Sequence, residues 1–228
     1  KALFKNDQAM TVVVSIILVY TSLNICGNLV LYFFRFDVGN EGAYSIFAAV
    51  AFAAQVLVMM VIPLLRKRFS KSQLFISGFI IQIAGFAVIL IMAFAKLYTP
   101  QSWYILCLPG ILIYLGYGML NVIMTIFLSD SVDYGEVMNG TREESVIFSM
   151  QTFTVKLASG VAVFLAGLVV DWIHLDTAAA VQTQDTLDAL RMWMTIPSVI
   201  LLIVGIFVFK RFYKLDDTRM EEIKSKLN

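Results

Sequence analysis

Apolar residues fall in six long blocks divided by polar links: Ala9–Phe34, Tyr44–Leu65, Leu74–Phe94, Tyr104–Leu128, Ser145–Val170 and Met192–Phe209. Each block is close to the roughly 20 residues an α-helix needs to cross about 30 Å of hydrocarbon. Most links are shorter than ten residues, which makes neighbouring helices antiparallel; Asp171–Arg191 is the long one. No Pro/Gly/Ser-rich linker divides the chain. The pattern predicts one all-α membrane domain of six transmembrane helices over residues 1–228, with 210–228 as a tail.

Composition agrees. The 228 residues are 60% hydrophobic and 14% charged, against about 25% charged in soluble domains. The net charge of +1 and the lack of an arginine-rich surface leave no nucleic-acid partner; the partner that composition requires is the lipid bilayer. Cys26 and Cys107 both sit in apolar blocks and read as packing residues, with neither a disulfide nor a metal site expected. The chain begins at Lys1 with no signal peptide, and a piece of a longer protein is expected.

Basic residues orient the spans. With both termini and the second and fourth links inside, the cytoplasmic side holds Lys1, Lys5, Arg66, Lys67, Arg68, Lys71, Arg142, Lys210, Arg211, Lys214, Arg219, Lys224 and Lys226. The far side holds Arg35, Lys96 and Arg191. Thirteen against three predicts cytoplasmic termini. The tail "KRFYKLDDTRMEEIKSKLN" alternates charges with Met220, Ile223 and Leu227, so it reads as a short helix along the membrane or as a solvated strand of charge. His174, beside Trp172 in "DWIHLD", reads as an interfacial residue.

Three spans carry polar stripes at helical spacing: Tyr20, Asn24, Asn28 and Tyr32 on the first; Tyr114, Tyr117, Asn121 and Thr125 on the fourth; Ser145, Ser149, Thr152, Lys156 and Ser159 on the fifth. Lipid cannot satisfy them, so they turn toward protein or a water-filled cavity. Any one stripe could be interhelical glue, worth about 0.6 kcal/mol per bond. Three together, two with tyrosines and one with a lysine, favour a polar cavity.

Lys156 lies eleven residues into its span, about 16 Å along the axis and near the midplane, where a lysine costs roughly 2.5–3.5 kcal/mol to insert. It needs a carboxylate, water or loss of its proton. All sixteen acids are read in the links or the tail. The expected partner is therefore a second bundle that brings membrane-embedded carboxylates to a seam beside Lys156. Between the fourth and fifth spans, Asp130, Asp133, Glu136, Arg142, Glu143 and Glu144 crowd the cytoplasmic link. A solvated loop is the plain reading; a ring of ion pairs that closes that side accounts better for the density. Glu143 and Glu144 suit the positive end of the fifth helix dipole. Asp130 and Asp133 are placed to pair with neighbouring loops, of which "RKRFSKSQ" (Arg66–Gln73) is the nearest basic one.

The stretch "SDSVDYGEVMNGTREESVIFSMQTFTVKLAS" resembles the segment joining the tenth and eleventh helices of the glycoside–pentoside–hexuronide:cation symporters of melibiose-carrier type. The matching positions are Asp130, Asp133, Tyr134, Gly135, Glu136, Arg142, Glu144, Gln151, Thr152 and Lys156. The resemblance covers all six spans as the carboxy-terminal half of a twelve-helix major-facilitator transporter. It implies that Lys156 borders a coupling-cation site whose carboxylates come from the amino-terminal half. It also implies that Gln151 and Thr152 line the sugar cavity, with Thr152 next to the cation, and that Asp130, Asp133, Glu136, Arg142 and Glu144 form the cytoplasmic gate. Melibiose-type carriers have a tryptophan where Asn121 stands, so a more polar ring substituent than a galactoside is implied.

The function expected is a secondary active transporter of the cell (inner) membrane that moves a sugar or glycoside with Na⁺ or H⁺ and uses no other cofactor. Tyr20, Asn24, Tyr117, Asn121, Gln151 and Thr152 are the candidate sugar contacts. A sensor or scaffold of the same fold is the alternative. An enzyme would need a metal cluster or a nucleophile–base set, and a channel would need a ring of filter residues; neither pattern is present.

Overall fold

The computed structural model describes residues 6–227, so Lys1 and Lys5 of the basic count and Asn228 of the tail lie outside the described residues. Within them are six helices long and apolar enough to cross a membrane, and no strand. They are α1 (Asp7–Tyr32), α2 (Ala43–Leu65), α3 (Lys71–Phe94), α4 (Cys107–Asn139), α5 (Glu144–Trp172) and α6 (Gln184–Phe212). A seventh, α7 (Asp217–Leu227), follows. A π-helical segment, Phe33–Val38, continues α1, and a 3₁₀ turn, Trp103–Leu106, precedes α4.

Local chemistry sets the ends. The Asn6 side chain caps α1 by accepting from Ala9 N. Ser70 and Gln73 close a capping box on α3, and Thr183 caps α6 through Thr186 N. Gly39 and Gly140 end the π segment and α4 in the left-handed region, at φ 75° and 70°, where a β-carbon is unwelcome.

The helices overrun the apolar blocks. The prediction that every acid lies in a link or the tail is corrected: Asp130, Asp133 and Glu136 ride on the last turns of α4, Asp171 on the last turn of α5, and Asp185 and Asp188 on the first turns of α6. Apolarity marks what lies in hydrocarbon, whereas a helix continues as far as its caps allow. The long link shrinks accordingly to residues 173–183, and Arg191 is a buried residue of α6 instead of a loop charge.

α4 packs between α2 and α3, and α1 between α5 and α6; contacts of α1 with α4 and of α3 with α6 join the two sets. Ala158, Ala162 and Ala166 are buried on α5, which leans chiefly on α1. Ser22 and Ser198 exchange reciprocal bonds to each other's carbonyls, 3.0 and 2.8 Å, and pin α1 to α6. Near the end that holds the chain termini, Phe75, Phe79, Phe127, Phe209 and Tyr213 form a connected aromatic cluster.

The tightest seam joins α3 and α4 through glycines. A β-carbon at Gly116 would stand 2.5 Å from the Gly78 carbonyl oxygen and 2.6 Å from Gln82 N, and one at Gly85 would stand 2.7 Å from Ile113 N. These neighbours are backbone and cannot swing aside. Gly116→Ala should therefore destabilise by about 1–3 kcal/mol, read as a lowered melting temperature of the purified protein in detergent; an unchanged melting temperature would refute the seam.

Candidate functional site

Midway along the bundle the stripes of α1 and α4 meet. Asn121 Nδ2 donates to the Tyr20 hydroxyl at 2.7 Å. The Tyr20 and Tyr117 rings pack edge to face with centroids 5.4 Å apart, and Tyr114 stands 6.5 Å beyond. Gln151 reaches from α5 to Thr125 Oγ1 at 3.4 Å. Much of the remaining capacity turns back on its own helix: Asn24 donates to Tyr20 O, Asn28 to Asn24 O, Thr125 to Asn121 O and Thr152 to Phe148 O. Such back-bonding satisfies a hydroxyl or amide proton while leaving its oxygen free to accept.

Of the predicted sugar contacts, Tyr20, Tyr117, Asn121 and Gln151 share this neighbourhood and Asn24 lies one turn along α1. Thr152 is exposed on the free face of α5, one turn from Lys156. Lys156 is exposed too, the thirteenth residue of a 29-residue helix, and no acid among the described residues pairs with it. The α5 stripe of Ser145, Ser149, Thr152 and Lys156 thus points out of this bundle, while those of α1 and α4, exposed Thr125 apart, are half-buried or buried within it.

Charges at the end holding the termini divide into two clusters. Lys71, first residue of α3, forms a short ion pair with Asp130 of α4; both side chains are nearly sealed, 6% and 7% exposed. Asp217 of α7 joins Lys71 at 3.4 Å and Arg66 at 3.2 Å. Separately, Arg142 gathers Asp133 (3.1 Å), Glu136 (2.9 Å) and Glu144 (3.2 Å). Its bonds to Glu136, Asp133 and Glu144 hold the guanidinium even more firmly protonated than usual. The five predicted gate residues therefore fall into two groups within this bundle: Asp130 faces inward to α3, while Asp133 and Glu136 on the last turns of α4, Arg142 in the link and Glu144 at the start of α5 make up the other. Glu143 is the residue before α5 and caps nothing with its side chain.

The described part of the tail forms α7, which docks its apolar residues on the bundle. Leu215, Met220 and Ile223 pack under Tyr134, Val137 and Tyr213, and Lys214 N donates to Gln8 Oε1 at 2.8 Å. Burial pushes the Asp217 carboxyl up, but its bond to Arg66 and the charges of Lys71 and Arg66 outweigh this and hold it below the ordinary range.

At the opposite end a second buried group escaped the sequence reading. Arg191 grips Asp37 with two bonds, 2.8 and 2.5 Å, and Asp188 at 2.7 Å; Arg191 and Asp37 are 3% and 4% exposed. Tyr98 donates to Asp37 at 2.6 Å, and burial together with that bond pushes its phenol up, so it remains a donor. The available signal was Thr183, a helix cap, followed by Asp188 and Arg191 at i,i+3. His174 is exposed in the turn after α5, at φ 53°, and neighbouring Trp172 packs on Trp193 at 5.1 Å.

Comparison with known proteins decides what carries these groups. The family model described as MFS/sugar transport protein matches residues 1–217. The chain belongs to that family. Among curated relatives, an uncharacterized symporter of Bacillus subtilis is 25% identical over all of this chain and 48% of its own length. The raffinose carrier protein of Pediococcus pentosaceus is 23% identical over 100% of this chain and 35% of its own. The isoprimeverose transporter of Lactiplantibacillus pentosus is 25% identical over 95% and 43%. The chain spans about half, or less, of the length of these relatives. The match agrees with the resemblance to melibiose-carrier-type symporters carried by Ser129–Lys156. The family and these relatives are carriers, not enzymes, and this MFS chain is a multi-pass membrane protein.

Removing one partner of the sealed Lys71–Asp130 pair should be costly: Asp130→Asn is expected to lose about 3–5 kcal/mol, and Lys71→Met with Asp130→Leu to recover most of it, as read from melting temperatures in detergent. A double variant no better than the single would show that the pair is not the source of the loss. The low Asp217 pKa fixes the sign of a pH effect. Its contribution is fully present above the ordinary carboxylate value near about 4 and is lost as pH falls through the lowered folded value. A spin label on α7 should stay immobile from neutral pH down past that ordinary value and loosen only below it; Asp217→Asn should be mobile throughout.

Proposed function

We propose that the chain is the carboxy-terminal six-helix half of a secondary active transporter that moves a sugar or glycoside together with Na⁺ or H⁺. The observation that carries this reading is Lys156: a lysine midway along α5, on a face turned out of the bundle, with no acid among the described residues to meet it. A second half supplies the carboxylates. The lysine charge stabilises them ionised when the cation has left and competes with the cation when it is bound. Substrate sits near the midplane between the halves, which rock around it. Tyr20, Asn24, Tyr117, Asn121, Gln151 and Thr152 meet its hydroxyls, with Thr152 also beside the cation.

The chain spans the cell (inner) membrane in this reading, and the basic count supports both ends facing the cytoplasm. On that side Asp130, Asp133, Glu136, Arg142 and Glu144 act as the gate, Arg142 exchanging partners as the halves part. The raffinose and isoprimeverose carriers among the relatives support a glycoside as substrate. Intact polar stripes favour transport over a sensor or scaffold.

The test uses the complete protein in proteoliposomes, a panel of glycosides, pentosides and uronides, and proton or sodium influx as the readout. Lys156→Val is expected to reduce sugar-dependent ion influx by 5–150-fold, about the range of a 1–3 kcal/mol coupling. Influx unchanged in the variant would remove Lys156 from coupling. No influx with any sugar would overturn the transporter reading.

A further inference from the structure

Above the central cluster, away from the chain termini, α1 and α5 enclose a groove of about 350 Å³ lined by Asn28, Tyr32, Val163, Gly167, Val170 and Asp171, with Ala166 at its floor. Asn28 and Tyr32 continue the stripe of Tyr20 and Asn24 but take no part in the Tyr20–Asn121–Gln151 contacts. Asn28 gives one amide proton to Asn24 O, which leaves its oxygen as an acceptor. Asp171 pairs with no cation among the described residues. An amide and a phenol therefore line the α1 wall, and the α5 wall is aliphatic with the Asp171 carboxylate at its end, a mixture that suits the hydroxyls and the C–H face of a sugar ring.

Gly167 supplies an independent observation. A β-carbon added there meets nothing within 4 Å, so no neighbour within this bundle demands a glycine, although glycine weakens a helix interior. The glycines of the α3–α4 seam are explained by contact; Gly167 instead lines the groove, and a larger side chain there would enter its open space. Gly160, two turns back and also without a neighbour, continues that open face toward Lys156.

Asn28 lies eight residues beyond Tyr20 on the same face, about 12 Å along the axis. That is the reach of an extended oligosaccharide whose first ring occupies the central cluster. We propose that the α1–α5 groove is a second sugar subsite, which holds the distal, uncharged ring of an extended glycoside through Asn28, Tyr32 and Asp171, with Gly167 setting its width. The carboxylate of Asp171 disfavours a distal ring that bears an acid. This rests on the transporter reading above.

The experiment measures uptake by the complete protein of a monosaccharide and of di- and trisaccharides sharing its terminal ring. Gly167→Leu, which fills the groove, is expected to raise the ratio of trisaccharide to monosaccharide KM about tenfold. Asp171→Asn should raise the same ratio and also narrow the discrimination against a glycoside whose distal ring is a uronate. Monosaccharide uptake reports that each variant is folded, and if Gly167→Leu loses it, Asp171→Asn decides. Ratios that stay constant in the folded variants overturn the subsite while leaving the transporter intact. Failure of the unaltered protein to take up any sugar overturns both.

Discussion

A charge in hydrocarbon has to be paired, hydrated or discharged, because the low dielectric strips away the solvation that makes it cheap in water. This bundle handles that constraint in two ways. Arg191 and Lys71 are each surrounded by carboxylates and, for Arg191, by Asp37 bonded in turn to Tyr98. Their partners lie 154 and 59 residues away in the chain, so each pair fixes helices that sequence proximity would not bring together. Lys156 is treated differently. It sits deeper along its helix than either, faces outward and meets no acid among the described residues. The same chemistry that closes the bundle at both ends is left incomplete at its middle, where another surface can complete it.

How far the sequence foretold this depends on the range of the interaction concerned. The six spans were legible because bilayer thickness imposes a block length, and the stripes on α1, α4 and α5 because side chains three and four apart share a face. Lys156 stood out for the same reason: an acid-free apolar block is a local property. Helix ends were less legible, since α4 and α6 run on through Asp133 and Asp188 into polar sequence where hydropathy falls but capping does not yet intervene. The Arg191–Asp37 grip was not legible at all. Neither residue's neighbours encode the other, and in a hydropathy profile a buried arginine looks like a loop arginine. The docking of α7 failed for a related reason: Met220 and Ile223 show an apolar face without showing whether lipid or Tyr134 covers it.

Back-bonding gives the central site its character. Asn24, Asn28, Thr125 and Thr152 give their protons to their own helices, so the stripes are polar without being stitched together. Two side-chain bonds, Asn121 to Tyr20 and Gln151 to Thr125, cross between α1, α4 and α5 here. Elsewhere the helices are bound by buried rings, by Ser22 with Ser198, and by ion pairs. The middle of the bundle thus meets most of its hydrogen-bonding needs within single helices, and its side-chain oxygens keep capacity to accept.

The glycine seam between α3 and α4 has a mechanical consequence. Two backbones in direct contact cannot slide past each other without atoms colliding, so the pair resists shear and travels as a single stiff plank. α5 leans chiefly on α1 through alanines and α2 chiefly on α4, and both present broad uncovered faces. When such a body tilts, elastic distortion gathers in these compliant flanks, and the plank serves as the lever arm that moves them.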